Sequence, residues 1–255
     1  MYHVMSITKA AIGLMYHIHE SEFPRDQSLE FTTIGKALNM RSGKGGDKWD
    51  YERFRLHVEG DADLYKFCLN QLNEAKEVDG MEYNDLMYQV LASNMRDVAD
   101  RFGQCMGDLA AKDLVRETSW DGKDIYFKKA KSWKWEHTKS GEPLGPHGLH
   151  MTQEAAKQFG ELAKPHVLGM SANEKEPVEG WYGTGNDQFT HYWNGWFLTS
   201  QNAYAVGYVY QVIALTPNGV YTQLYEEDWD KVNFIMNIES SHTSKDVYKI
   251  NKLKL

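Results

Sequence analysis

The apolar residues of this chain change their spacing from a helical to a strand period about two thirds of the way along it. They recur every three or four positions in 7–19 and 83–114, which predicts amphipathic helices. Farther on, segments 196–200, 208–215 and 220–225 have the composition and alternation of strands. We therefore assign the chain to the α+β class, with a helix-rich N-terminal region followed by a small strand-rich C-terminal domain.

A charged, irregular stretch at 171–179 is the predicted domain boundary. It follows a helix that Thr152 is expected to cap and Pro165 to stop. The predicted domains are 1–170, mainly helical, and 171–255, α+β and rich in aromatic residues. A length of 255 residues is enough for one large domain or two ordinary ones.

The composition limits the compartment and the partners. The formal net charge is 28 − 36 = −8, so affinity for phosphate backbones needs clustered cations. Cys68 and Cys105 cannot build a disulfide scaffold and are predicted to be free thiols in a reducing compartment. No apolar run approaches the roughly 20 residues of a membrane helix, and no segment is typical of a signal peptide. We expect a soluble cytoplasmic protein that does not enter membranes.

Segment 83–130 has the clearest pattern in the front region. It predicts three helices and a hairpin, with Asn94 as the cap of the second helix, Gly103 as its end, and a third helix from Gln104. The dipeptide Asp121-Gly122 predicts the hairpin turn. Nearer the start of the chain, Ser6 is the expected cap of the first helix.

The order of these elements, and the phrase DVADRFGQCMGDLAAKDLVRETSWDGKDIYFKK from Asp97 to Lys129, resemble the winged helix-turn-helix family. In that family the third helix enters the DNA major groove. Here its exposed positions carry two carboxylates and one cation, so the resemblance favours the wing as the nucleic-acid contact. The candidate residues are Lys123, Lys128, Lys129, Lys131, Lys134 and Trp133. The alternative is that these lysines form a solvated strand face and the tryptophans belong to the core.

A second phrase, GWYGTGNDQFTHYWNGWFLTSQNAYAVGYVYQVIAL, resembles the first half of a compact ADP-ribosyltransferase. The resemblance implies a helix from Ala203 to Tyr208, NAD as cofactor, and a carboxylate that stabilises the positive charge formed as nicotinamide leaves. The implied cofactor-binding residues are Tyr182, Gly183, Thr184, Ser200 and Tyr208. The implied catalytic residue is Glu226 or Glu227. Because Tyr182 stands where the family has His or Arg, a binding-only version of the fold is equally open.

Other catalytic patterns are weaker. His147 and His150 lie three residues apart in a Gly/Pro-rich stretch, but no cysteine pair accompanies them, so we predict no metal site. No Gly-x-Ser-x-Gly elbow of a hydrolase is present. The leading hypothesis is an NAD-binding ADP-ribosyltransferase-like protein, active or inactive, with a macromolecular target. The alternatives are a non-enzymatic winged-helix protein that contacts nucleic acid or a partner or host protein, and an inhibitor that uses its aromatic C-terminal surface. The oligomeric state is left open.

Overall fold

The structure is a computed structural model. It describes residues 1–45, 63–118, 122–170, 189–207 and 211–224, together with the backbone of 176–177.

Helices and antiparallel strands alternate irregularly along the described part of the chain. The helices are α1 (Ile7–Ile18), α2 (Ile34–Leu38), α3 (Leu64–Glu74), α4 (Asp85–Asn94), α5 (Val98–Met106) and α6 (Gln153–Leu168). The strands are β1 (Tyr2–His3), β2 (Ser28–Leu29), β3 (Thr32–Thr33), β4 (Val115–Thr118), β5 (Asp124–Lys129), β6 (Trp133–His137), β7 (Leu149–Met151), β8 (Glu176–Pro177), β9 (His191–Trp193), β10 (Trp196–Leu198), β11 (Ala203–Gly207), β12 (Gln211–Thr216) and β13 (Gly219–Gln223).

The strands form three sheets. One has five strands in the order β1-β7-β6-β5-β4, and another has six in the order β13-β12-β11-β10-β9-β8. The third is the small pair β2-β3. Because β1 pairs with β7, Tyr2 lies beside Met151 and His3 beside His150.

Helix α1 is the centre of the molecule. Ten of its 12 residues are buried, and it packs against α4 and α5 as well as β11 and β12. The two-residue turn between β9 and β10, Asn194–Gly195, has positive φ at both positions, as a tight hairpin turn requires. This turn approaches α1 so closely that a Cβ on Gly13 would lie 2.1 Å from the Asn194 carbonyl oxygen.

Helix α6 covers the far strands of the six-stranded sheet. It packs on β12 and β13, and a Cβ on Gly160 would lie 2.4 Å from Val220 Cγ1. One continuous hydrophobic core contains residues from Val4 to Leu224 and therefore crosses residue 170. The division into domains at that residue stays a prediction.

The predicted winged-helix unit is wrong. Helix α5 runs through Gly103 and ends at Gly107, which has φ +64, and residues 108–114 are not helical. Gly103 serves packing, because a Cβ there would lie 2.8 Å from a ring carbon of Trp133. The predicted hairpin does form from β4 and β5, but it belongs to a five-stranded sheet and is not a free wing.

The helix implied by the ADP-ribosyltransferase resemblance is also wrong. Residues 203–207 form strand β11, in which Ala203 pairs with Leu215 and Ala205 with Ile213 of β12. Strand pairing on both sides outweighs the helix propensity of alanine. The molecule is α+β, but the predicted helix-rich front region with a winged helix is not its architecture, since β4 to β7 lie between residues 115 and 151. Within the described segments, no helix has the length and apolar character needed to span a membrane.

Candidate active site

Ser6 stands at the start of α1, yet its hydroxyl makes no capping hydrogen bond. Instead, Ser6 Oγ accepts hydrogen bonds from Lys9 Nζ at 2.9 Å and from Tyr83 Oη at 2.6 Å. The preceding residue, Met5, has φ 51, a left-handed conformation that a side chain rarely adopts. The Thr8 hydroxyl donates to the Met5 carbonyl at 2.7 Å and holds this turn. Ser6 is partly exposed, so a ligand from solvent can reach it.

Lys9 is a fully buried cation one helical turn after Ser6. Its Nζ lies 2.9 Å from Ser6 Oγ, 2.6 Å from Asp85 Oδ1 and 3.1 Å from the Pro146 carbonyl oxygen. Ser6 Oγ and the Pro146 carbonyl oxygen accept hydrogen bonds from the ammonium, and Asp85 forms an ion pair with it. The Asp85 Oδ1 atom makes no well-aligned hydrogen bond, so its attraction for Lys9 is chiefly Coulombic.

The start of α4 positions Tyr83 and Asp85. Asn84 caps this helix, with its Oδ1 accepting from the Met87 N–H at 3.1 Å and its Nδ2 donating to the Lys44 carbonyl at 2.9 Å. Asp85 lies in the first turn, where the helix dipole favours a carboxylate. The amino ends of α1 and α4 therefore meet, and their side chains converge on one point.

The charges of this group are interdependent. Burial lowers the pKa of Lys9, but the Asp85 carboxylate and Tyr83 raise it by more, so that the pKa lies above its ordinary value. Burial raises the pKa of the Tyr83 phenol, and the nearby Lys9 ammonium only partly offsets this. In the resting state Lys9 is therefore an ammonium and Tyr83 a neutral phenol.

Two further segments enclose the start of α1. The Leu149 N–H donates to Thr8 Oγ1 at 3.1 Å, which fixes β7 against the helix. On the other side, β11 ends at Gly207, where a Cβ would lie 2.4 Å from the Val4 carbonyl oxygen and 3.3 Å from Met5 Cβ. Strand β11 thus ends directly beside the turn that carries Ser6.

The structure places few of the residues implied for NAD binding and catalysis. Those that lie outside the described residues are Tyr182, Gly183, Thr184, Tyr208, Glu226 and Glu227. Ser200 is exposed in the connection between β10 and β11. Thr199 Oγ1 accepts from the Asn202 N–H at 3.0 Å, so this connection is a tight turn. The structure does not bring Ser200 to the group around Ser6.

The predicted nucleic-acid residues lie on the five-stranded sheet, and several of them are paired with acids. Lys129 and Lys134 both contact Glu117, at 2.7 and 2.6 Å. Lys128 lies 3.5 Å from Asp100.

The remaining members of this set do not form a binding face with them. Trp133 is fully buried and its Nε1 donates to the Asp108 carbonyl at 3.0 Å, so its ring offers no face to a base. Lys131 is exposed in the turn before β6, and Lys123 is partly exposed in the connection before β5. The alternative interpretation, a solvated strand face over a tryptophan core, fits this arrangement better.

The sequence prediction missed Ser6, Lys9, Tyr83 and Asp85 as site residues. The available signal was the spacing Ser6-x-x-Lys9 at a helix start, because residues three apart lie on the same face of a helix. Ser6 was expected only to cap α1, and the search for a hydrolase considered only a Gly-x-Ser-x-Gly elbow. Tyr83 and Asp85 are distant in sequence, and no local pattern relates them to Ser6.

Comparison with solved structures identifies the fold. The chain is similar to a penicillin-binding protein from Bacillus halodurans, with a TM-score of 0.54 and 16% identity over 92% of this chain and 84% of that one. It is similar to a Bacillus anthracis protein assigned as a 6-aminohexanoate-dimer hydrolase, with a TM-score of 0.59 and 14% identity over 94% and 72% of the two chains. A Bacteroides dorei DSM 17855 protein assigned as a β-lactamase gives a TM-score of 0.50 and 13% identity over 89% and 79%. No protein-family profile matches the chain, and no curated protein matches it significantly.

These similarities correct the earlier predictions. The fold is that of penicillin-binding and β-lactamase-like hydrolases, and is neither a winged helix nor an ADP-ribosyltransferase. The predictions of NAD as cofactor, of ADP-ribosyl transfer and of DNA binding through a wing are therefore wrong.

Proposed function

We propose that this protein is a serine acyl hydrolase in which Ser6 is the nucleophile. The observation that carries the proposal is the contact of Ser6 Oγ with both Lys9 Nζ and Tyr83 Oη. A nucleophilic serine needs an adjacent group that can take its proton, and the two neighbours offer an amine and a phenol. In penicillin-binding proteins and class A β-lactamases, a Ser-x-x-Lys motif supplies the nucleophile, and the fold found here is of that kind.

In the first half-reaction, Ser6 Oγ attacks the carbonyl carbon of an ester or amide. The hydroxyl proton passes to the Lys9–Tyr83 pair, and the same pair returns a proton to the departing alcohol or amine. An acyl-Ser6 ester is formed. The negative charge on the carbonyl oxygen develops beside the amino end of α1, where the helix dipole is positive.

In the second half-reaction, water attacks the acyl-Ser6 ester and gives a proton to the same pair, which passes it to Ser6 Oγ as the bond between Oγ and the acyl carbon breaks. The carboxylic acid is released and the Ser6 hydroxyl is restored. Because Lys9 is an ammonium in the resting state, it must lose a proton before it can act as a base. Asp85 opposes that loss and so sets the pH at which the pair becomes active.

The substrate class we propose is a carboxylic ester or amide. Two of the similar structures support the amide, because the names 6-aminohexanoate-dimer hydrolase and β-lactamase both denote cleavage of an amide bond. In the present chain, the partly exposed Ser6 above a buried Lys9 is compatible with either bond.

The direct test is covalent labelling with a fluorophosphonate probe, followed by mass spectrometry of the peptides. Attack by Ser6 Oγ on phosphorus forms an O–P bond and releases fluoride, while the hydroxyl proton goes to the Lys9–Tyr83 pair. We expect one label per chain, on Ser6, and none on the Ser6→Ala variant. Ser200→Ala is the matched control, since Ser200 is an exposed serine in the turn between β10 and β11.

Turnover is then measured with chromogenic esters and a chromogenic β-lactam. We expect Ser6→Ala to lower kcat/KM by a factor on the order of 10³ or more, the scale of losing a nucleophile. A wild-type protein that is neither labelled nor active on either substrate class would refute the proposal, as would label on Ser200.

A further inference from the structure

Three potential metal ligands meet on the outer face of the five-stranded sheet. His3 on β1 and His150 on β7 are direct partners across the two strands. Lys134 of β6 is the partner of His150 on the other side. Glu136 lies two residues farther along β6, and alternate residues of a strand point to the same face. The two imidazoles and the carboxylate therefore share one face of three adjacent strands.

The side chains are already in contact. The His3 and His150 rings are stacked, with centroids 4.3 Å apart and an angle of 4° between their planes. His150 Nε2 lies 2.6 Å from Glu136 Oε1. Each residue offers one potential ligand atom, an imidazole nitrogen or a carboxylate oxygen, and these three atoms lie within 4.8 Å of one another.

Burial disfavours the charged form of both imidazoles. Burial lowers the pKa of His3, and burial with the nearby Lys134 ammonium lowers the pKa of His150 to about 3. A neutral imidazole retains the lone pair with which it binds a metal ion. Burial also raises the pKa of the Glu136 carboxyl group. A bound cation would offset that desolvation and favour the carboxylate.

Nearby groups are compatible with a cation at this position. Lys134 is a competing positive charge beside these histidines, and its Nζ is held 2.6 Å from Glu117 Oε2 and 3.9 Å from the centre of the Phe127 ring. The buried Phe127 ring lies edge-on to His150, with centroids 5.6 Å apart, and restricts access from the β5 side. A partly enclosed site of two imidazoles and one carboxylate results.

We propose that His3, Glu136 and His150 bind one transition-metal dication, with zinc the best-suited ion and water in the fourth position. Imidazole and carboxylate donors suit zinc, and two histidines with one glutamate form a known zinc ligand set. Donor atoms around a tetrahedral zinc lie about 3.4 Å apart, given bonds of about 2.1 Å. A metal ion lies in the plane of each imidazole that binds it, so the parallel rings must tilt out of their stacked arrangement on binding. The hydrogen bond between His150 and Glu136 is replaced by two bonds to the metal.

The proposed metal joins β1 to β6 and β7, and β1 ends shortly before Ser6 in the sequence. Only Val4 and Met5 separate His3 from Ser6. The ion takes no part in the chemistry at Ser6, and its role is to fix the strand from which α1 begins. This inference goes beyond the proposed hydrolase function and does not depend on it.

The test is calorimetric titration of tag-free protein with zinc chloride, after chelator treatment and dialysis. We expect one site per chain in the wild type. His150→Gln and Glu136→Gln should each weaken zinc binding by more than about 100-fold. Losing a residue that only hydrogen-bonds to a metal ligand already lowers the affinity by about 10- to 100-fold. Titration with magnesium should give no binding, since magnesium prefers oxygen donors.

His191→Gln is the matched control, because His191 lies on β9 of the other sheet. Cobalt in place of zinc gives an independent readout, a visible absorption band that only the variants in the site should lose. Glu136→Gln keeps the shape of the side chain, so it remains informative if His150→Gln does not fold. The proposal is overturned if the wild type binds no zinc, if Glu136→Gln binds as the wild type does, or if His191→Gln is as damaging as His150→Gln.

Discussion

Ser6 occupies a position where serine usually stabilises a helix, but its oxygen is engaged by Lys9 and Tyr83. The left-handed backbone of Met5 just before it adds strain of about 1–3 kcal/mol. Both features remove stability from the start of α1. Unfavourable local geometry of this kind is common where a side chain is presented for reaction.

The first prediction concerns the charge that Asp85 places on Lys9. Asp85→Asn removes the carboxylate that raises the pKa of Lys9 and leaves the burial that lowers it. Lys9 should then lose its proton at lower pH. We expect the rising limb of the pH profile of kcat/KM for ester hydrolysis to move down by about 1 to 3 pH units, the usual effect of one close opposite charge.

The control for this prediction is Asp124→Asn, which removes a carboxylate paired with the exposed Arg116 on the five-stranded sheet. Its pH profile should coincide with that of the wild type. A rising limb that stays in place, or moves up, in Asp85→Asn would mean that Lys9 does not control the reaction. Because Lys9, Tyr83 and Asp85 are in contact, the pH of the rising limb gives an apparent pKa of the three residues together and not of one residue alone.

At the scale of single elements, the structure distinguishes two helix starts that look equivalent in the sequence. Thr152 Oγ1 accepts from the Ala155 N–H at 3.1 Å and caps α6, whereas Ser6 caps nothing. We expect Thr152→Ala to lower the free energy of unfolding by about 1 kcal/mol. Ser6→Ala should cost clearly less or increase stability.

Urea denaturation of the two variants and the wild type decides this prediction. The midpoints are compared at constant slope, so that a change in stability is not confused with a change in the unfolded state. If Ser6→Ala is destabilising by as much as Thr152→Ala, the Ser6 hydroxyl stabilises the fold as strongly as a helix cap does, and the prediction is wrong.

Local patterns predicted part of these elements correctly. The start of α1, the cap of α6, the hairpin of β4 with β5 and the strands β12 and β13 follow from residue spacing, capping and turn residues. The end of α5 was predicted wrongly, because Gly103 was taken as the end of the helix. Its reason is instead the close approach of Trp133, about 30 residues farther along the chain. Strand β11 was mistaken for a helix because its alanines gain their strand conformation from partners on β10 and β12.

The candidate site was harder to predict than the elements that carry it. Ser6 and Lys9 belong to one helical turn and could have been recognised by their spacing. Tyr83, Asp85 and Pro146 come from two other segments, and only the packing of α4 and the 143–149 connection on α1 brings them to Lys9. A single sequence contains no direct record of such distant contacts.

At the scale of the whole molecule, the contacts of α1 with the turn Asn194–Gly195 connect this helix to the six-stranded sheet. Gly13→Ala tests this connection, because its new methyl group would lie 2.1 Å from the Asn194 carbonyl oxygen. Helix propensity alone favours alanine by about 1 kcal/mol. The clash is with backbone and should dominate, so we expect a net loss of about 1–3 kcal/mol in the free energy of unfolding.

Gly219→Ala is the control for this substitution, since the nearest atom to its new Cβ would be 3.8 Å away. Its effect should stay within about 0.5 kcal/mol. Scanning calorimetry should also show one transition for the wild type, because the core is continuous. An unaltered melting temperature in Gly13→Ala, or two separate transitions, would contradict the packing described for α1.

The central position of α1 has a consequence for how the chain is made in the cell. The ribosome produces α1 well before β11 and β12, the strands that cover it, which are among the last described segments to emerge. Until β11 and β12 have been made, the apolar surface of α1 lacks these partners, and exposed apolar surface of this kind makes a chain prone to aggregate. Premature termination before β11 would therefore leave a chain with its nucleophile already synthesised but with no complete core to hold it.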